Sequence, residues 1–140
     1  MDRVFARPVA LALIRRRDEI LVGPVTELDG TLIGRRPPGG TIEFGESGRD
    51  AVMREIREEL GVDVTDIRYV GTIENIYTFR GKPEHELVRV YEARFSDPSL
   101  YSRDVFDCVE ADGQRFTCVW RRVPDPGERL FPEGLLDLIR

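Results

Sequence analysis

The chain of 140 residues is short of the side chains that soft-metal and nucleophilic chemistry need. It carries one histidine, His85, which excludes a multi-histidine zinc site and would have to serve alone in any Ser-His-Asp arrangement. Its two cysteines, Cys108 and Cys118, make neither a four-thiolate site nor the disulfide framework of a small secreted domain. Long apolar runs are missing as well. The longest uncharged stretches, Pro8–Ile14 and Ile20–Thr26, are seven residues each, against the roughly 20 that a membrane-spanning helix requires. Arg7 and Pro8 also interrupt the apolar run that a cleaved leader would need before Ala10-Leu11-Ala12. These absences predict a cytoplasmic protein with reduced thiols and no membrane partner. Excess positive charge is lacking too. Lysine is reduced to Lys82, and 26 acids against 21 bases leave a net charge of −5 and a pI near 5.0. That balance argues against nucleic acid as a partner. What remains for chemistry is carboxylate, backbone and arginine, a set suited to hard cations and phosphates.

No repeat, low-complexity block or linker divides the sequence, so residues 1–140 read as one domain. Val9–Ile14 reads as a strand buried on both faces, turned by Arg16-Arg17-Asp18 into a second strand, Glu19–Val25. Glycines and prolines from Gly30 to Gly40 break the next stretch into loop and short extended pieces. Ser47, with Asp50 three residues on, predicts a helix start, and Gly61 its end, with Gly48–Leu60 between them. Tyr69–Phe79 and Leu87–Phe95 read as strands joined through Gly81-Lys82-Pro83. Val105–Val109 and Phe116–Trp120 flank the hairpin signal Asp112-Gly113. A two-residue turn there would set Cys108 opposite Thr117, whereas a three-residue loop centred on Gly113 would pair the two cysteines. Pro132 opens a short terminal helix carrying Leu135, Leu136, Leu138 and Ile139. The class is mixed α/β, without the repeated crossover helices of a doubly wound dinucleotide-binding sheet.

On the central helix Glu55, Glu58 and Glu59 stand at i, i+3 and i+4 and share one face. Val52, Met53, Ile56 and Leu60 form the adjoining buried face, and Arg54 flanks the acids. Gly48 and Ala51 lie on the acidic face, where small side chains would leave room for a ligand. Like charges at this spacing cost a helix about 0.2–0.5 kcal/mol per pair. Binding a divalent cation relieves that cost, and oxygen-only ligands favour Mg²⁺, Mn²⁺ or Ca²⁺ over zinc.

Gly40, Glu46, Arg54, Glu55, Glu58, Glu59 and Gly61 match, at every spacing, a known signature that runs from Gly40 to Val62. At about 7% usage per residue, seven fixed identities arise by chance on the order of 10⁻⁸ times per starting position. The chain therefore resembles the Nudix hydrolases. The resemblance implies an α/β/α sandwich with a mixed β-sheet, in which the Gly40–Val62 signature, the Nudix box, forms a loop–helix–loop. It also implies hydrolysis of a nucleotide-linked diphosphate with Mg²⁺ or Mn²⁺. By motif position Glu55, Glu58 and Glu59 resemble the metal-binding acids, with the carbonyl of Gly39 or Gly40 completing the shell. Glu59, or alternatively Glu55, would accept the proton of the attacking water. Arg54 resembles the residue that orients the carboxylates, and Glu46 the acid that pairs with it. The alternative is a Nudix-like sensor module that binds a nucleotide without cleaving it, a role that has no need of all three acids.

Outside the box, family members commonly add a downstream acid, for which Glu86 and Glu84 are candidates, with His85 between them. Arg36 and Arg35, directly upstream of the glycine loop, are candidates for a substrate phosphate. Tyr77 resembles the tyrosine found in this region of dinucleoside-polyphosphate hydrolases. The proline of ADP-ribose pyrophosphatases is missing there, and the extra motifs of the NADH- and coenzyme-A-cleaving subfamilies are not apparent. A MutT-type nucleoside triphosphate remains among the candidate substrates. Phe5, Tyr77, Phe79 and Trp120 could stack on a base or pack in the core. By family analogy the chain could form a homodimer.

Overall fold

In the computed structural model the described residues are 5–139. Strand β1 (Arg7–Leu13) is the centre of the first sheet, and Val9–Ile14 are each at most 1% exposed. Such complete burial follows from having neighbours on both edges and a helix over each face. Further along the chain, β5 (Gly39–Thr41) pairs with β1 antiparallel and β7 (Lys82–Phe95) pairs with it parallel. Outside β7 lies β6 (Val64–Phe79), giving the mixed order β5-β1-β7-β6. The second sheet runs β2 (Arg15–Arg16), β3 (Glu19–Thr26), β9 (Arg115–Arg122), β8 (Val105–Val109), with β4 (Leu32–Arg36) on the far half of β3.

Alternation along β1 divides the interior in two. Ala10, Ala12 and Ile14 pack with Ala51, Val52 and Ile56 of helix α1 (Gly48–Leu60). Val9, Leu11 and Leu13 pack with Val88, Val90 and with Leu135 and Ile139 of helix α2 (Leu135–Ile139). The two helices thus cover opposite faces, and the mixed α/β layering is the one expected from the sequence. The first core extends into an aromatic group of Phe95, Tyr101, Phe106 and Trp120, where the Trp120 indole N–H donates to the Arg103 carbonyl at 2.8 Å.

Helix α1 has the predicted ends. The Ser47 hydroxyl accepts from the Asp50 N–H at 3.0 Å, and Gly61, at φ 70°, donates to the Arg57 carbonyl. Its small residues do a different job from the one expected. Ala51 is buried in the first core, and a methyl on Gly48 would lie 2.1 Å from the Tyr91 hydroxyl oxygen. They let α1 settle onto the sheet and do not make room for a ligand.

Two hairpins differ from the sequence reading. The β6–β7 turn is Arg80-Gly81, both with positive φ (53° and 78°), so Phe79 pairs with Lys82 and Pro83 lies inside the strand. Pro83 is tolerated because β1 begins pairing with β7 only at Glu86, leaving that edge of β7 without a strand partner among the described residues. At the β8–β9 turn Gly113 (φ 88°) closes the loop and does not centre it. Glu110 N–H donates to the Gln114 carbonyl at 2.7 Å, and Ala111-Asp112-Gly113 form the loop. Cys108 therefore pairs with Phe116, and Cys118 with Phe106. The cysteines are diagonal neighbours, and both are buried free thiols. Strand β6 also starts five residues earlier than its alternation suggests. Bulges after Thr65 and Tyr69 and a positive φ at Asp66 break the pattern there. Among the described residues no helix is long and apolar enough to cross a membrane.

Candidate active site

Residues Gly40–Val62 fold as the end of β5, the loop after it, helix α1 and the Gly61 turn. Gly39 must be glycine because its φ is 150° and a Cβ would lie 2.0 Å from the Ala10 carbonyl oxygen. Gly40 is constrained by chemistry rather than backbone. A Cβ there would sit 2.5–2.7 Å from the carboxylate atoms of Glu55. The glycine pair thus brings the β5 backbone directly against the acids of α1.

Arg54 organises these acids. Its Nε and Nη2 donate to the two oxygens of Glu46 at 2.8 and 2.9 Å, a bidentate pair. Its Nη1 donates to Glu55 Oε1 at 3.0 Å and Glu58 Oε2 at 3.1 Å, and Nη2 reaches the Thr41 carbonyl at 3.0 Å. These hydrogen bonds from Arg54 hold the Glu46 carboxyl down at about 2. Among the described residues no arginine pairs with Glu59. It is buried, its Oε1 accepts from the Gly39 N–H at 3.2 Å, and burial followed by the charges of Glu55 and Glu110 pushes its pKa up to about 9.

The three acids of α1 line a cleft of about 800 Å³, with Arg54 and Glu46 outside its lining. Glu55, Glu58, Glu59, Gly39 and Gly40 face it, with Glu110 and Asp112 from the β8–β9 turn. Facing the same space are Arg7, Arg36, Arg80 and Arg115, together with Phe79 and Phe116. The Glu110 carboxyl is pushed up by burial first, then by Asp112 and Glu55, while Arg36 pulls it down. Acids and arginines therefore sense one another across one volume.

The donor set suits a hard divalent cation: carboxylates and backbone carbonyls, with no sulfur or imidazole among the lining groups. A buried carboxylate flanked by two others is the arrangement that a cation stabilises. Among the described residues no three acidic, histidine or cysteine side chains are grouped to hold an ion unaided. Arg54 occupies an oxygen of both Glu55 and Glu58. Mg²⁺ suits such a site, since it commonly takes one or two carboxylates and fills its octahedron with water and substrate phosphate.

Other sequence candidates fall elsewhere. Arg35 turns away from the cleft to Glu128 at 2.6 Å, a carboxylate it shares with Arg121. Tyr77 is not among the lining residues, although burial and then the charge of Glu86 raise its hydroxyl pKa. Glu84 lies in strand β7, outside the cleft lining, and His85 is exposed, 3.9 Å from Glu74. Glu86 is fully buried behind the lining, paired with Arg7 and Arg36. Trp120 is core, Phe5 is on the surface, and Phe79 is the one proposed stacking ring that faces the cleft. Sequence reasoning missed Arg7, Glu110 and Phe116. For Glu110 the available signal was an acid directly before a hairpin loop.

Comparison with known proteins agrees with this geometry. A family model described as the NUDIX domain matches residues 5–100. The chain is 42% identical over 135 residues to the NAD-capped RNA hydrolase NudC of Pseudomonas putida (strain W619), covering 94% of this chain and 43% of that protein. It is 32% identical over 135 residues to the protein of the same name from Pseudomonas fluorescens, with the same coverage. The chain thus spans less than half the length of these curated relatives. A solved MutT NUDIX hydrolase from Burkholderia pseudomallei superposes with a TM-score of 0.71 at 26% identity, covering 97% of this chain and 98% of that one. The solution structure of the E. coli ORF135 protein shares the fold, with a TM-score of 0.63 at 24% identity over 96% and 88% of the two chains. The matched span, the extent of that identity and the shared fold lead to one conclusion: the chain belongs to the NUDIX hydrolase family.

Proposed function

We propose that the cleft is the active site of a Mg²⁺- or Mn²⁺-dependent pyrophosphohydrolase that cleaves the P–O–P linkage of a nucleotide diphosphate. The observation that carries this reading is the joint lining of one cleft by the acids of α1, with Glu59 buried among them, and by arginines. A diphosphate needs its negative charge neutralised before a nucleophile can approach, and a bound cation supplies that neutralisation and acidifies its water. Glu55, Glu58 and Glu59 with the Gly39 or Gly40 carbonyl would hold it. The chain's own groups do the rest. Arg54 fixes Glu55 and Glu58 in place, so their carboxylates need no reordering on binding. Burial and the neighbouring acids keep Glu59 protonated on their own account; a cation bound beside it would offset both, and Glu59, oriented through Oε1 by the Gly39 N–H, would then be the group placed to accept the proton of an attacking water, with Glu55 as the alternate. Arg36 can pair with a phosphate oxygen in the same cleft.

The curated relatives favour a more specific substrate. They are named for NAD-capped RNA, and NAD is itself a nucleotide diphosphate joined to a second nucleoside. An acidic chain fits the cap more readily than a long RNA body, because non-specific RNA affinity rests on neutralising many phosphates. A panel of NAD, NAD-capped RNA, ADP-ribose, diadenosine polyphosphates and nucleoside triphosphates, assayed for nucleoside monophosphate, separates these substrates. Turnover of at least one in Mg²⁺ or Mn²⁺, abolished by EDTA, is expected. Tight nucleotide binding with no turnover on the whole panel would instead establish the sensor alternative.

A further inference from the structure

Glu86 is completely buried and touches no catalytic acid, yet two arginines from different strands meet on it. Arg7, at the start of β1, sits directly across the parallel register from Glu86 and pairs with its Oε2. Arg36, at the end of β4, donates from Nη2 to Oε1 at 3.2 Å. The second fork of Arg7 is fixed by the Thr41 hydroxyl at 2.9 Å. Burying a carboxylate is unfavourable unless its oxygens are well paired, and both oxygens here are taken by guanidiniums. Two positive charges on one negative leave a net positive charge. It faces the cleft, because Arg7 and Arg36 line it while Glu86 does not. Arg36 also keeps a buried Nε–H with no partner among the described residues, a donor that is costly to leave unpaired. Tyr77 stands beside the same carboxylate and keeps its proton, since burial and then Glu86 raise its pKa.

We propose that Arg7 and Arg36 form a two-arginine clamp for a phosphoryl group of the substrate, with Glu86 as the positioning residue that holds both forks in register. The inference rests on the pyrophosphohydrolase reading for the identity of the ligand and adds what grips the phosphate chain. It makes the substrate class a diphosphate or longer, in which one phosphoryl group is neutralised on the acid side and another is held by guanidinium. Glu86 then acts as an anchor behind the arginines and not as a metal ligand. A purely electrostatic role and a positioning role are opposite in sign. Removing the negative charge of Glu86 should tighten anion binding if only charge matters, and weaken it if fork geometry matters.

The test measures binding of α,β-methylene-ADP, a non-hydrolysable diphosphate, in Mg²⁺ by calorimetry, with uncharged adenosine as control. Variants are Arg7→Lys, Arg36→Lys and Glu86→Gln, with thermal melting to verify folding. Each lysine variant keeps its charge and loses its fork, so about a tenfold loss of analogue affinity is expected with adenosine binding unchanged. Glu86→Gln is expected to weaken the analogue about tenfold, and to raise KM with kcat within about threefold. Unchanged affinity in both lysine variants, or tightening in Glu86→Gln, overturns the clamp. If Glu86→Gln does not fold, the lysine variants decide alone. Because binding is read without turnover, the two readings fail separately. An intact clamp with no activity on any substrate sinks the enzyme reading only. Activity with indifferent clamp variants sinks the clamp only.

Discussion

Replacing Gly40 with alanine separates catalysis from stability in a way few single substitutions can. The added methyl would lie 2.5 Å from the carboxyl carbon of Glu55, where ordinary contacts begin at 3.4 Å. The clash falls on the far end of a flexible side chain, so the fold need not move; the carboxylate must, by about 1 Å. That shift pulls Glu55 Oε1 off Arg54 Nη1, now at 3.0 Å, and out of the place where a cation would be held. A misplacement of about 1 Å at a reacting centre costs on the order of 10²-fold in rate, while the stability change should stay within about 1 kcal/mol. Gly39→Ala is the control, since its methyl would strike the Ala10 carbonyl at 2.0 Å from a positive φ. Backbone cannot yield there, so a loss of about 2–4 kcal/mol is expected. The assay is kcat/KM on the best panel substrate beside urea unfolding of both variants. Gly40→Ala with kcat/KM within twofold of wild type would refute the placement of Glu55 at the reacting centre. A Gly40→Ala variant as unstable as Gly39→Ala would refute the claim that the clash is only with a side chain.

Glu46 provides the acid test of the Arg54 network. Its folded pKa of about 2 lies below the ordinary 4.5, so the stability it lends is complete above about pH 4.5 and is lost as pH falls through about 2. Unfolding of wild type and Glu46→Gln should differ by a constant amount from about pH 7 to 5, with the gap narrowing below about pH 4.5. Arg35→Ala should cost about 1–3 kcal/mol, because Glu128 keeps only Arg121, and should leave kcat/KM within about twofold; a large KM effect would place Arg35 at the substrate after all. Gly48→Ala should destabilise by about 1–3 kcal/mol through the Tyr91 hydroxyl, and Tyr91→Phe should restore part of that loss, as read from chemical denaturation.

What the sequence disclosed was mostly local. Ser47 and Gly61 announce both ends of α1 because capping is chemistry within four residues. The acids at i, i+3 and i+4 reach the same cleft because helical spacing alone sets their face. The uninterrupted apolar run Val9–Ile14 is likewise legible as a central strand, since burial on two faces removes alternation. What stayed hidden depends on distant pairing. Arg7 becomes a cleft residue only because β1 runs parallel to β7, setting it across from Glu86, 79 positions on. Glu110 reaches Glu59 only because the β8–β9 turn folds over α1, and no window of sequence contains both. Gly48 reads as space for a ligand until Tyr91 is seen against it. The β6–β7 turn, Arg80-Gly81, lies earlier than Gly81-Lys82-Pro83 because Pro83 looks like a loop residue, yet it fits in β7, where β1 among the described residues pairs only from Glu86 onward.

The most direct test of the cleft as a metal-dependent hydrolase compares wild type with Glu55→Gln and Glu59→Gln on the best panel substrate, in Mg²⁺ and in EDTA. Both variants should fall by at least about 10²-fold in kcat, wild type should lose activity entirely in EDTA, and Mg²⁺ should raise the melting temperature of wild type more than that of either variant. Full wild-type turnover in EDTA, or undiminished turnover in both glutamine variants, would contradict the assignment of this cleft as the catalytic centre.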